Sequence, residues 1–212
     1  MKRKIVFSQF LTVFILIACQ PPVTFDKPQP IDVTELQRFP DRLFGEFRSE
    51  EDNSILYVTE KTLVRIYDFY NKTHVSLLDS TVQLIGDSLF DLETNEGTLV
   101  QIEGDSVVKH IYETDTLFVI NQKNVLKKFK GYYFLNMNIN PDIWHVQKLE
   151  LQKGKLILSS INNREDIDQL KTITETMQDT VPYIFSPNKK QFKVFVRNEG
   201  FRTQEAFFKI KE

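Results

Sequence analysis

The chain has 212 residues, 41% of them hydrophobic, with 27 Lys and Arg against 29 Asp and Glu for a net charge of −2. A slightly acidic chain has no general electrostatic drive toward polyanions, so nucleic acid is excluded as an expected partner. A single cysteine can form no internal disulfide, and His74, His110 and His145 stand far apart with no pair at metal-ligand spacing, so neither a disulfide framework nor a metal or other cofactor is expected.

The N-terminus opens on Met1-Lys2-Arg3-Lys4, followed by an apolar run from Ile5 to Ala18 broken only by Ser8, Gln9 and Thr12. A membrane-spanning helix needs about 20 apolar residues, and this run stops short of that before Pro21 and Pro22. The layout, a charged patch and then a short greasy stretch, is that of a secretory signal over residues 1–18. It ends in Leu16-Ile17-Ala18-Cys19, which resembles the lipobox of bacterial lipoproteins. That resemblance implies a diacylglyceryl group on the Cys19 thiol, cleavage before Cys19 and acylation of the new amino group. Each buried methylene contributes about 0.8 kcal/mol and one chain holds only marginally, so two or three chains at Cys19 make a stable anchor to the membrane. Gln20, where aspartate would retain a lipoprotein at the inner membrane, implies by the same resemblance the outer membrane, facing the periplasm. Cleavage removes Lys2, Arg3 and Lys4 and leaves a mature net charge of −5.

Four of the eight prolines, Pro21, Pro22, Pro28 and Pro30, fall between residues 20 and 38. Proline-rich chain is extended at about 3.1 Å per residue, so 19–38 is expected to be a tether and 39–212 a single globular domain.

From Phe39 to Ser160 turn residues recur at short intervals, among them Gly45, Asp52-Asn53, Asn71, Gly86-Asp87, Asn95-Glu96-Gly97, Gly104-Asp105, Asn124, Gly131, Asn140-Pro141 and Lys153-Gly154. Between them lie runs such as SILYVTE, TLVRIYDFY, TLVQIE, SVVKHIY, TLFVINQ, GYYFLNMN, VQKLELQ and KLILSSI. This spacing predicts a mainly β chain, an antiparallel meander forming a curved sheet or partly open barrel. Asp79-Ser80, Asp87-Ser88, Asp105-Ser106 and Asp115-Thr116 repeat one turn chemistry, an Asp bonding its own backbone ahead of a strand. LFGEF at 43–47 resembles the glycine-x-aromatic opening strand of lipocalin-like barrels, with Phe47 where those carry tryptophan.

Two helices are expected near the C-terminus, which makes the fold class α+β. Asn162 caps the first, starting near Asn163, with Glu165 and Asp166 in its first turn and Ile167, Leu170, Ile173 and Met177 along one face. Ser186-Pro187 starts the second, with Phe192, Phe195 and Val196 inward and Gly200 ending it, and residues 201–211 form a closing strand. Eighteen phenylalanines predict an aromatic core.

Two chemical motifs stand out in the domain. Gly86-Asp87-Ser88-Leu89 resembles the signature of the GDSL esterases, and Asp142-Ile143-Trp144-His145 resembles the D-x-x-H block that completes their triad, which implies Ser88, Asp142 and His145 acting together. The alternating βα pattern and the glycine and asparagine blocks of those esterases do not occur here, so no catalytic residue is assigned and the chain is expected not to be an enzyme. The run from Lys127 to Phe134 places Lys127, Lys128 and Lys130 beside Tyr132 and Tyr133, a possible binding patch for a lipid phosphate, a glycan or a protein. The expected role is a non-enzymatic lipoprotein of the cell envelope that binds an envelope protein or supports envelope structure. The alternative is a carrier holding a small ligand or lipid inside a barrel-like cavity.

Overall fold

A computed structural model describes residues 22–177 and 180–210. The signal segment 1–18 and Cys19 lie outside them. The fold is mainly β and antiparallel, with two helices close to the C-terminus, and its main sheet does not close into a barrel.

That sheet is built on β3 (Gly45–Ser49), β4 (Ile55–Val58), β5 (Thr62–His74), β10 (Ser106–Val119), β11 (Asn124–Phe129), β12 (Tyr132–Asn140), β13 (Ile143–Gln152), β14 (Lys155–Ser160) and β16 (Thr203–Lys209). With the short strands β2 (Glu35–Leu36) and β9 (Gln101–Glu103) at its ends, it runs β2-β11-β12-β13-β14-β16-β3-β4-β5-β10-β9. Two further strands, β1 (Val23–Phe25) and β15 (Tyr183–Phe185), pair in parallel with each other, and β1 joins β13 through Phe25 opposite Trp144.

The sheet curls around one apolar cluster and carries a second on its outer face. The inner cluster takes Phe47, Leu56, Val58, Leu63, Phe118, Leu126, Tyr133, Leu135, Leu149, Leu156, Leu158 and Phe207 from successive strands, plugged by Phe39 and Leu43. The outer cluster packs α1 (Arg164–Thr174) and α2 (Lys189–Arg197) with β1 and β15 over Phe134 and Val146. Residues 133 to 136 of β12 are buried in unbroken succession because both of their faces are covered, the pattern of a central strand between two layers.

α1 is capped by Asn163, whose side chain accepts the Asp166 N–H, one residue later than Asn162. It ends at Glu175 in a left-handed conformation, leaving Met177 past the helix and exposed. α2 starts from Asn188, not Ser186: the Asn188 side chain takes the Lys190 and Gln191 N–H groups while Gln191 returns a bond to the Asn188 N–H. That reciprocal capping box satisfies more orphan donors than Ser186 could from two residues upstream. Phe192, Phe195 and Val196 face inward as expected.

The expected tether is different from Pro22 onward. Val23 and Phe25 are buried in the outer cluster, and the fully buried Gln29 is paired through its main chain to Asn136. Lys127 reaches the Pro28 and Pro30 carbonyls at 2.9 and 3.1 Å. The prolines shape a strap across the sheet, and a three-residue apolar strand is too short to stand out between them.

β5 and β10 form one long ribbon. β4 accompanies β5 as far as Ile66, and β9 joins β10 only at Val108. The ribbon therefore projects from the body through eight further residues to His74, about 26 Å at ~3.3 Å per residue. At its far end β6 (Val82–Ile85), β7 (Ser88–Asp91) and β8 (Glu96–Leu99) form a separate three-stranded sheet. A register shift between Thr116 and Phe118 marks where the arm meets the body.

Candidate functional sites

Three cationic elements converge beside α2. Lys193, Val196 and Arg197 share one face of that helix at i, i+3 and i+4, Lys130 and Tyr132 open β12, and Lys148 sits on β13 two residues beyond the buried Val146, on the same side of the sheet. With Glu199, Arg202 and Gln204 they line a cleft of about 790 Å³. The cleft carries five cations and one carboxylate.

Arg202 is the fixed wall. It binds the fully buried Asp166 carboxylate with its guanidinium and, at 2.8 Å, with its backbone N–H, and it reaches Gln169 Oε1 and the Asn198 carbonyl at 3.3 Å. The other four cations have no ion-pair partner within 4.0 Å among the described residues. Lys148 is the unusual one: it is only 7% exposed, yet its ammonium meets no hydrogen-bond acceptor among the described residues and lies over the rings of Tyr132 and Phe201 at 5.1 and 5.8 Å. Burial pushes this amine below the ordinary lysine range, and the charges of Glu150 and Asp166 offset that only in part.

The five residues 127, 128, 130, 132 and 133 do not form one patch. Lys127 and Tyr133 are buried, the former holding the strap and the latter accepting hydrogen bonds from Arg42. Lys128 lies on the far face over the Tyr133 ring, and only Lys130 and Tyr132 reach the cleft. Period-2 alternation along β11 and β12 separates them. Lys148, Lys193, Arg197 and Arg202 were not singled out in the sequence. The one available signal was a lysine at an inward position of VQKLELQ.

The esterase constellation is not assembled. Ser88 belongs to the small sheet at the end of the arm, where its hydroxyl bonds Asp87, while Asp142 and His145 lie at the β12–β13 turn in the body. The whole projecting ribbon separates them. His145 instead packs beside β1: burial depresses its basicity against a bond to the Val23 main chain, and its Nδ1 is buried with no partner.

The arm tip is the second distinctive surface. Residues 75–105 include Asp79, Asp87, Asp91, Glu93, Glu96, Glu103 and Asp105 and not one lysine or arginine. They also expose Leu77 and Leu99 at 75% and 74%, with Ile85, Leu92 and Ile102 beyond half exposure. Only Glu103 has a cationic partner there, Lys72 at 2.7 Å. Below the tip the ribbon carries Tyr70 stacked on His110 at 4.7 Å, with Asp68 holding His110 Nε2 at 2.7 Å.

No known protein family, curated protein or solved structure matches the chain. Among the described residues no helix is long and apolar enough to cross a membrane, and no group of His, Cys, Asp and Glu side chains is placed to hold a metal ion.

Proposed function

We propose that the chain is a lipid-anchored protein of the bacterial cell envelope, attached through Cys19 to the outer membrane on its periplasmic side, whose arm presents a docking surface to an envelope protein. The role is non-enzymatic. The observation that carries it is the arm tip: seven acids, no cation and a set of exposed large aliphatic side chains, held about 26 Å from the body on a ribbon that joins the core clusters only at its base, through Leu63, Leu117 and Phe118. Exposed apolar surface of this kind is costly in water and marks interaction sites. The single sign of charge selects a partner whose face is basic around an apolar centre.

The carrier alternative draws no comparable support. The hollow in which a lipid would sit is filled by Phe39, Leu43, Phe47, Phe118 and Phe207, all at most 1% exposed.

Crosslinking in native membranes tests the proposal with three chains: wild type, Cys19→Ala, and a variant in which an Asn-Gly turn replaces residues 75–105. Cys19→Ala is expected to move to the soluble fraction. The shortened-arm variant is expected to stay in the membrane, keep its far-UV spectrum and lose the captured protein. Retention of the same crosslinks without the tip defeats the docking assignment, and membrane retention of Cys19→Ala defeats the anchor.

A further inference from the structure

The cleft beside α2 has no role in that reading, and its chemistry is independent of the arm. We infer that it is a binding site for a phosphate group carried on a larger polar body. Four cations without an ion-pair partner among the described residues, Lys130, Lys148, Lys193 and Arg197, line one cavity with the fixed Arg202 and a single acid, Glu199. On a surface such charges would be ordinary solvated lysines. Lys148 is not on the surface: it is more than nine-tenths buried, has no acceptor among the described residues, and is held in place by the faces of Tyr132 and Phe201.

Crowding an ammonium against apolar rings is costly, and the charges of Glu150 and Asp166 offset this only in part. Asp166, the buried acid on the helix side, spends its oxygens on Arg202. The Lys148 ammonium faces the cleft, where an anion can supply an acceptor. The C-terminal end of α2 opposes an anion with about half an elementary charge, which the cations outnumber; three of its carbonyls also have donors, Val194 from the Asn198 N–H, Phe195 from the Gly200 N–H and Asn198 from Gln169 and Arg202.

Phosphate fits better than a lone carboxylate on three grounds. It carries one to two charges toward a site with several unpaired cations. Its oxygens spread in tetrahedral directions, matching point-like ammoniums on different elements, while Arg197 offers a planar fork for two of them. The cavity of about 790 Å³ exceeds a free ion and includes apolar wall at Tyr132 and Val196 for the attached body. A phospholipid headgroup and a soluble phosphorylated compound share this chemistry.

Calorimetric titration of the full chain in neutral-detergent micelles separates the two sources, using inorganic phosphate in one series and micelles doped with phosphatidylglycerol in the other. Saturable 1:1 binding is expected in at least one series: phosphate alone assigns a soluble ligand, and the doped micelles alone assign a headgroup. Lys148→Met keeps the buried stem between the two rings, and the Lys193→Gln/Arg197→Gln pair alters only solvent-facing groups. Each is expected to weaken binding about tenfold or more, the loss of one charge-assisted hydrogen bond. Should Lys148→Met fail to fold, the helix pair decides. No saturable binding in either series, or unchanged affinity in the helix pair, overturns the assignment.

Discussion

Asn136 holds the N-terminal strap to the sheet, and its removal has a calculable cost. Its Oδ1 accepts the Gln29 N–H at 2.5 Å and its Nδ2 donates to the Gln29 carbonyl at 2.9 Å, so one side chain stands in for a strand at both main-chain groups of a residue with no solvent exposure. Asn136→Ala strands that donor and that acceptor. Each buried unsatisfied group costs about 1–3 kcal/mol, giving a central expectation of about 4 kcal/mol for the two. For a domain of this size that is a fall in Tm of about 8–16 °C, at ~2–4 °C per kcal/mol. Trp144, the only tryptophan, lies opposite Phe25 of β1 and reports the strap. Urea unfolding followed by Trp144 fluorescence and by far-UV dichroism should show the midpoint falling in both, with the fluorescence change leading if the strap peels first. Chymotrypsin should then cut after Phe25, fully buried while the strap is seated, before the body unfolds. A loss below about 1 kcal/mol with Phe25 still protected would refute the argument that the side chain acts as a surrogate strand.

Four other outcomes follow from the same coordinates. Arg65 bonds Ser54, Asp52 and Glu205 at 2.8, 2.7 and 2.7 Å between the rings of Tyr67 and Phe207; Arg65→Ala should cost about 2–4 kcal/mol in urea unfolding, below the figure for a fully buried pair because both carboxylates are partly solvated. Burial alone would raise the Asp52 carboxyl, but bonds from Ser54 and Ser49 and the Arg65 charge outweigh it and hold it below its ordinary 3.8; its contribution is therefore complete above that value and lost as pH falls through the lower folded one, and Asp52→Asn should flatten the acid limb of a stability curve between about pH 4.5 and 2.5. For His145 the folded pKa also lies below the ordinary 6.5, so the unfolded chain takes up the proton first and stability drops as pH falls beneath that value; His145→Phe should remove this slope between pH 7 and 5, and an unchanged slope counts against a buried neutral imidazole. At Gly200 an added Cβ would meet the fully buried Phe195 ring at 2.5 Å, so Gly200→Ala should cost about 1–3 kcal/mol by thermal melting through that clash, whereas an alanine at Gly104 meets no neighbour and bears only the strain of its left-handed backbone, φ +61°.

The body was legible where one face of each strand is wet and the other dry. SILYVTE, VQKLELQ and KLILSSI alternate or run apolar as their burial demands, and the Asp79 turn bonds Thr81 as its letters suggest. The arm was not legible as one ribbon. Glu113-Thr114-Asp115 and Asn71-Lys72-Thr73 read as interruptions, because a ribbon solvated on both faces needs no hydrophobic period, and its pairing is set by the register from Thr62 to His74. Asp115-Thr116 has the letters of a turn and lies inside β10 for that reason. β15 carries no signal of its own because its three residues acquire meaning only beside β1, some 160 positions away. The cleft was hidden for a similar cause: its cations come from four distant segments, and the one run rich in Lys and Tyr is divided by the pleat between two faces.

The strap also changes what an acylated Cys19 would mean mechanically. Only Gln20 and Pro21 lie between it and Pro22, three Cα steps that can span at most about 11 Å. So short a mooring would deny the body free tumbling and keep one side of it turned to the bilayer. The arm tip would then hold a constant distance from a two-dimensional fluid, sweeping one thin layer wherever the lipid drifts. Partners in that layer would meet it often, and those beyond it not at all.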